Sequence, residues 1–285
     1  MKKALKSIGK ASLYFGVYLA VQFITGFVLS IVVSAQMTME TIALGQELDS
    51  QALYQQVYAR VMELSTLMVL ISGIVTIVIY WIIFLVRKKK FRKEVIAEKI
   101  NIRGILPIIL LGMALNIVIA LVLDMLPFPQ SWIDSYTMNS SSLGEGNVIV
   151  NWLSVVFMAP VLEEIVFRGL VYTRMKKGMP VLLAAVLSSL LFGAMHGTMI
   201  WFLYAFALGL ILVWCFERFH SLAANILLHG VFNLTGQVLS LVPEVSDIAM
   251  WILDIVALVV MVGAIVWIKK LSVGEEANEQ FISAV

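Results

Sequence analysis

Eight apolar runs, each close to 20 residues, leave this chain few ways to fold. They lie near 13–35, 61–86, 104–126, 148–172, 180–196, 198–216, 220–241 and 249–268. As a helix, about 20 apolar residues cross roughly 30 Å of hydrocarbon. Hydrophobic residues make up 61% of the chain and charged residues 13%, with a mean hydropathy of +0.98. A water-soluble domain of this length carries far more charge. The expected fold class is therefore all-α, a polytopic membrane helix bundle of about eight transmembrane helices. The runs that flank His196-Gly197 have almost no loop between them.

Charge placement supports the same map. Lys2, Lys3, Lys6 and Lys10 precede the first run, and Arg87, Lys88, Lys89, Lys90, Arg92, Lys93, Lys99 and Arg103 separate the second from the third. Arg174, Lys176 and Lys177 follow the fourth, Arg218 the sixth, and Lys269 and Lys270 the eighth. With a cytoplasmic N-terminus all of these fall on one side, leaving Arg60 outside and Arg168 within the membrane. The other loops carry Glu40, Glu47, Asp49, Asp134, Glu145, Glu244 and Asp247. Basic residues concentrate on the cytoplasmic side of membrane proteins, so both termini are placed there. The 87–93 run thus needs no nucleic-acid partner; anionic lipid head groups are its natural company.

Other features are quickly placed. The N-terminus imitates a signal peptide, with lysines, an apolar run and Val33-Ser34-Ala35, but the run exceeds the 7–15 residues of a signal core and reads as a retained first helix. Cys215, the single cysteine, excludes an intrachain disulfide and a Cys-rich metal cluster. Tyr54, Val57, Val61 and Met62 recur at helical spacing and suggest an outer amphipathic helix leading into the second run. The 127–147 loop has breaker composition and is expected to be irregular. The tail from Gly274 is short and acidic.

Polar residues inside the runs mark where chemistry can occur. Glu163, Glu164 and Arg168 fall within six residues of the fourth run, although each ionisable group at membrane depth costs about 2.5–3.5 kcal/mol on insertion scales. Glu164 and Arg168 stand at i, i+4 with the acid first, the favourable order for a pair. That pair reads equally as a structural lock and as part of a reactive site. Glu163 is turned about 100° from Glu164 and has no local cation, a setting suited to general acid–base work. His196 ends the fifth run. It and Glu163 are almost equally far from the turn at Gly178-Met179-Pro180, so an antiparallel pair hinged there brings both to one depth. Gly193 and Gly197 form a small-xxx-small pair that would admit another helix. The seventh run repeats Asn225, His229, Asn233 and Gln237, a stripe that must face protein or water. Asn225 and Gln237 read best as interhelical hydrogen bonding, His229 and Asn233 as functional. Gln22 and Asn116 are bridging candidates, and Asp124 and Asp254 read as interfacial.

Glu163-Glu164-x-x-x-Arg168, Phe192-x-x-x-His196 and His229-x-x-x-Asn233 occur in that order on successive membrane helices. Together they resemble the CPBP family, which includes type II CAAX prenyl proteases and proteins of bacteriocin processing and self-immunity. The resemblance covers about 150–240. It implies a membrane-embedded cavity that hydrolyses peptide bonds, with Glu163 activating water, His196 as its partner, and His229 and Asn233 stabilising the oxyanion. Glu164 and Arg168 match the supporting charge pair and Phe192 the aromatic packing position. The implied division is 1–147, a three-helix membrane region with two outer loops; 148–241, the catalytic four-helix core; and 242–285, a last transmembrane helix with a cytoplasmic tail.

The function expected is that of an intramembrane endopeptidase of the cell membrane, acting on a peptide or membrane-protein substrate by glutamate/histidine-activated water. No cofactor is required on this reading. A zinc version would use Glu163, His196 and His229, a His₂Glu set, but the sequence lacks HExxH. A non-catalytic immunity or scaffold protein is the alternative. A proton-coupled transporter is a third, with no inverted repeat to favour it.

Overall fold

A computed structural model describes residues 2–45, 49–95, 100, 102–144, 147–243 and 246–271. The positions of Glu47, Lys99, Glu145 and Glu244, and the acidic tail from Gly274, lie outside the described residues. Among those described, every regular element is helical. In chain order these are α1 (Lys2–Ala43), α2 (Ser50–Glu63), α3 (Ser65–Val86), α4 (Phe91–Glu94), α5 (Ile102–Asp124) and α6 (Gln130–Gly144). The helix α7 (Val148–Met175) follows, then α8 (Val181–Ala194), α9 (Met199–Phe219), α10 (Leu222–Leu239) and α11 (Asp247–Lys270).

Seven of these helices are long and apolar enough to cross a membrane, and α8, with 14 residues, is a shorter apolar helix. The chain is an integral membrane protein built as a helical bundle. Seven expected runs agree with the observed helices to within a few residues, because length and hydropathy fix a spanning helix, whereas the first, expected over 13–35, extends to Lys2–Ala43. Local chemistry sets several ends. Asn147 caps α7 by accepting from the N–H groups of Ile149 and Val150 at 3.0 and 3.2 Å, and Thr198 caps α9 through Trp201 N–H at 3.3 Å.

Two loop expectations meet different outcomes. The amphipathic helix before the second span is present as α2, capped by Asp49. The 127–147 loop is not irregular: Gln130–Gly144 forms α6. Local polar pairs at i, i+4 hold it, with Gln130 Nε2 donating to Asp134 at 2.8 Å and Ser135 Oγ to Ser131 O at 2.8 Å. Trp132 packs on Phe128 at 5.9 Å between ring centroids and Tyr136 on Trp201 at 6.1 Å. Tertiary docking through these rings overrides a composition that alone favours turns.

Packing divides the apolar interior into two clusters. One gathers Tyr14, Tyr18, Tyr80, Phe84, Phe167 and Phe192 from α1, α3, α7 and α8. The other gathers Leu111, Leu115, Leu212, Leu228 and Phe232 with α11 residues Ala264 and Ile268. Tyr204 packs against both clusters. The fully buried polar side chains of α7 and α10 lie along this seam. Gln22 bridges α1 to α3, accepting from Ser72 Oγ at 3.0 Å, and Cys215 is buried in the core.

At the basic end of the bundle the helix termini are tied together. Arg174 at the foot of α7 donates to Glu94 Oε2 at 2.6 Å and to the Glu94 carbonyl at 2.8 Å. Arg87 Nη1 donates to Tyr14 Oη at 3.3 Å, and Lys176 pairs with Glu217 at 2.8 Å. Arg218 donates to the carbonyls of Ile268, Lys269 and Leu271. His220 closes α9 in the left-handed region with φ 46°. Burial and the neighbouring Lys176 and Arg218 charges hold its imidazole below the usual histidine range, against the pull of Glu217.

Candidate active site

The helix that carries both glutamates is not a regular α-helix. Residues Leu153–Met158 and Glu164–Tyr172 are wound as π-helix, a widened turn that recurs at functional sites. In the first widened stretch Ala159 N–H donates to Ser154 O, five residues back. The next residue, Pro160, has no N–H to give. Val155 O is thereby left without these two backbone donors, and Asn233 Nδ2 of α10 donates to it at 2.8 Å. A proline five residues after Val155 thus creates the acceptor that anchors one of the sequence-predicted site residues.

The second widened stretch places Glu164 and Arg168 in the seam, with side chains 0% and 1% exposed. Three donors converge on the Glu164 carboxylate. Arg168 Nη1 donates to Oε1 at 2.8 Å, His229 Nδ1 to the same oxygen at 3.1 Å, and Asn225 Nδ2 to Oε2 at 3.0 Å. The second arm of Arg168 donates to Gly209 O on α9 at 3.1 Å, while Asn225 Nδ2 also donates to Leu212 O at 2.7 Å. Glu164 is therefore the knot joining α7, α9 and α10. A buried ion pair that is satisfied in this way resists removal of either member by about 3–5 kcal/mol.

Glu163 points elsewhere. Its side chain is 19% exposed, and its Oε2 lies 3.8 Å from His229 Nε2. His229 thus faces one glutamate with each ring nitrogen. Since a carboxylate only accepts, Nδ1 carries a proton towards Glu164, and one proton must lie between Nε2 and Glu163 for that edge to be attractive.

His196 is set by its own helix end. Its Nδ1 donates to Phe192 O at 2.8 Å, which leaves Nε2 as the ring nitrogen available to substrate. The spacing Phe192-x-x-x-His196 gives this bond, because a side chain at i+4 lies over the carbonyl of residue i. Phe192 is buried and meets Arg168 and both imidazoles. The Arg168 guanidinium lies 4.4 Å above its ring centroid, and its ring meets His196 at 4.8 Å, Phe167 at 5.2 Å and His229 at 5.8 Å.

Glu163, His196, His229 and Asn233 all line one cavity of about 280 Å³. Ser154, Val155 and Ala159 of α7, Thr66 and Met68 of α3, Met195 after α8, and Trp201, Tyr204 and Leu208 of α9 also line it. All four residues placed in the catalytic set from sequence are brought together, and the three supporting residues lie directly behind them. Two details differ from the sequence reading. Asn225, read as ordinary interhelical bonding, is a direct ligand of Glu164. Gly193 and Gly197 do not act as a pair: a Cβ at Gly193 would meet Phe202 O at 2.9 Å, so it does allow the approach of α9, whereas Gly197 has open space and φ +80° and serves the turn. The wall residues Trp201 and Tyr204 carried no signal in the sequence, since aromatic residues at membrane depth are the rule, and Thr66 stands outside every motif.

Zinc was the alternative partner for Glu163, His196 and His229. Among the described residues no group of three or more His, Cys, Asp or Glu side chains is arranged to hold a metal ion. One nitrogen of His229 is already committed to Glu164.

Comparison with protein families gives a match over part of the chain. Residues 145–235, roughly a third of the chain, match the family described as Type II CAAX prenyl endopeptidase Rce1-like. No curated protein and no solved structure matches the chain. The matched segment contains all three motifs and all seven residues described above, and over that segment the chain is similar to CAAX-protease-like membrane proteins.

Proposed function

We propose that this protein is an intramembrane endopeptidase of the cell membrane in which Glu163 activates a water molecule against a peptide carbonyl. The observation that carries this reading is the shared cavity: a carboxylate that stands outside the Glu164–Arg168 pair, two imidazoles and an amide face the same 280 Å³ space. Amide hydrolysis needs a base for water, donors for the oxyanion and an acid for the leaving amine.

Glu163 takes a proton from water as the oxygen attacks the carbonyl carbon. Nε2 of His196, free because Nδ1 is held by Phe192 O, accepts a second bond from that water and keeps it oriented. The tetrahedral oxyanion receives the second N–H of Asn233, the first being spent on Val155 O, and the Nε2 proton of His229. As the C–N bond breaks, the proton held by Glu163 passes to the leaving nitrogen, the new carboxylic acid gives up its own proton to the amine, and the products are a carboxylate and an ammonium group. Glu164 and Arg168 take no part in bond making; they hold His229 in place.

The test is Glu163→Gln, which keeps size and removes the base. Hydrolysis of membrane peptides, followed by mass spectrometry, is expected to vanish while the protein accumulates as before. Near-normal cleavage by this variant would remove the general-base role, and equal loss of abundance and activity would favour the scaffold reading. Chelation by 1,10-phenanthroline is expected to leave the rate unchanged. A loss restored by added zinc would replace the metal-free scheme.

A further inference from the structure

The direction from which the cavity is reached narrows the substrate. Its lining runs from mid-helix, at Glu163, Leu208 and His229, to one end of the helices that contribute. Thr66 and Met68 lie in the first turns of α3, Ser154 and Ala159 in the first half of α7, and Met195 and His196 just past α8. Trp201 and Tyr204 lie in the first turns of α9, and Asn233 in the last turns of α10. At the other end of the same helices stand Arg87, Arg174, Lys176 and Arg218, joined by the ties to Tyr14, Glu94, Glu217 and the foot of α11. At the cavity end the one described basic residue is Arg60, paired with Glu63 at 2.5 Å.

Three further features sit at the cavity end. The helix α8 has 14 residues, about 21 Å at 1.5 Å per residue, so the turn carrying His196 stops short of the far side of a roughly 30 Å hydrocarbon layer. A second concavity of about 210 Å³, formed by Ala194, Gly197, Thr198, Met199 and Phe202, opens on that turn. The helix α6 lies alongside, its Tyr136 ring 6.1 Å from that of Trp201 in the cavity wall.

We infer that the cavity is entered from the non-cytoplasmic side, so that the substrate is a peptide segment exposed on, or dipping into, the outer half of the membrane. This rests on the hydrolytic reading for the word substrate and on the concentration of basic residues at the opposite end for the word outer. A bond near the C-terminus of a cytoplasmic protein is on the wrong side for this cavity.

Thiol labelling tests the inference without any need for activity. Cys215 is buried, so the parent protein is the blank. Met68→Cys and Met195→Cys place a thiol in the cavity wall from two different helices, and Lys177→Cys places one at the basic end. Each is exposed to a membrane-impermeant sulfonated maleimide in sealed right-side-out and inside-out vesicles. The expected result is at least tenfold faster labelling of the two cavity thiols in right-side-out vesicles, with the reverse for Lys177→Cys. Cavity thiols that label with Lys177→Cys, or from neither side, would overturn the inference. A protein that labels as expected yet cleaves nothing loses its hydrolytic reading and keeps this orientation; one that cleaves but labels from the basic end loses the orientation alone.

Discussion

Two glutamate–arginine pairs serve α7, and they differ in what surrounds them. Mid-helix, Glu164 and Arg168 are 0% and 1% exposed, and each also bonds to a second helix. At the foot of the helix, Arg174 meets Glu94 with side chains 9% and 22% exposed. The first pair sits where water cannot replace a lost partner. The second sits where it can, and Lys89 adds a further bond to Glu94 at 2.7 Å. The same two residue types therefore make a fold-critical knot in one place and an adjustable clamp in the other. Glu163 belongs to neither, one residue from the knot yet turned into the cavity, and that separation is what allows a base and a structural carboxylate to be neighbours in sequence.

The largest effect is expected at Glu164. Replacing it with Gln leaves Arg168 buried without a counter-charge, a loss typically of about 3–5 kcal/mol. Folded protein in the membrane is expected to fall, measured by thermal aggregation in detergent. A stable Glu164→Gln protein would mean that water reaches the knot.

A second test acts through Pro160. Pro160→Ala restores an N–H five residues after Val155, which competes with Asn233 for that carbonyl. Proteolysis is expected to drop by up to the roughly 10²–10³-fold in kcat that removal of one oxyanion donor brings, with abundance unchanged. Wild-type kcat in this variant would show that the Val155 anchor does not position Asn233.

Asn225→Ala sharpens the knot itself. It leaves Glu164 Oε2 and Leu212 O without their shared donor, which is expected to destabilise by about 1–3 kcal/mol. Asn225→Asp is expected to be worse, because it sets a second carboxyl against Glu164. Equal melting temperatures for the two variants would contradict the donor role.

The smallest effect is expected at the clamp. Glu94→Gln is expected to cost about 0–1 kcal/mol, as for other partly exposed pairs. Burial opposes the charged form of Glu94, but Lys89, Arg174 and Lys177 outweigh it and hold its carboxyl below the ordinary value of 4.5. A lowered pKa contributes stability that is present above the unfolded value and is lost as pH falls through the folded one. Hydrogen exchange in α4 is therefore expected to rise only on acidification below about 4.5, and the Glu94→Gln protein to show no such step. A step at neutral pH would place the clamp's control elsewhere.

The sequence by itself determined the membrane bundle and the approximate place of its spanning helices, because a long run of apolar residues matched to the hydrocarbon thickness is stable as a helix. It also singled out polar residues that come together in the bundle. Glu163, Glu164, Arg168, His229 and Asn233 are too costly at membrane depth to be there without partners, and their spacing places them on shared faces. What it left undecided were relations across helices. Asn225 became a ligand of Glu164, rather than one more bridging amide, only when α10 packed against α7. The cavity wall of Thr66, Trp201 and Tyr204 exists only where α3 and α9 approach the same space, and α6 is helical because Tyr136 finds Trp201. The split between the two glutamates was visible as a 100° turn, yet which one is buried depends on the π-helical widening of α7 and on which neighbours fill the seam. Hydropathy acts along one helix at a time; partner choice acts between helices, and only their packing decides it.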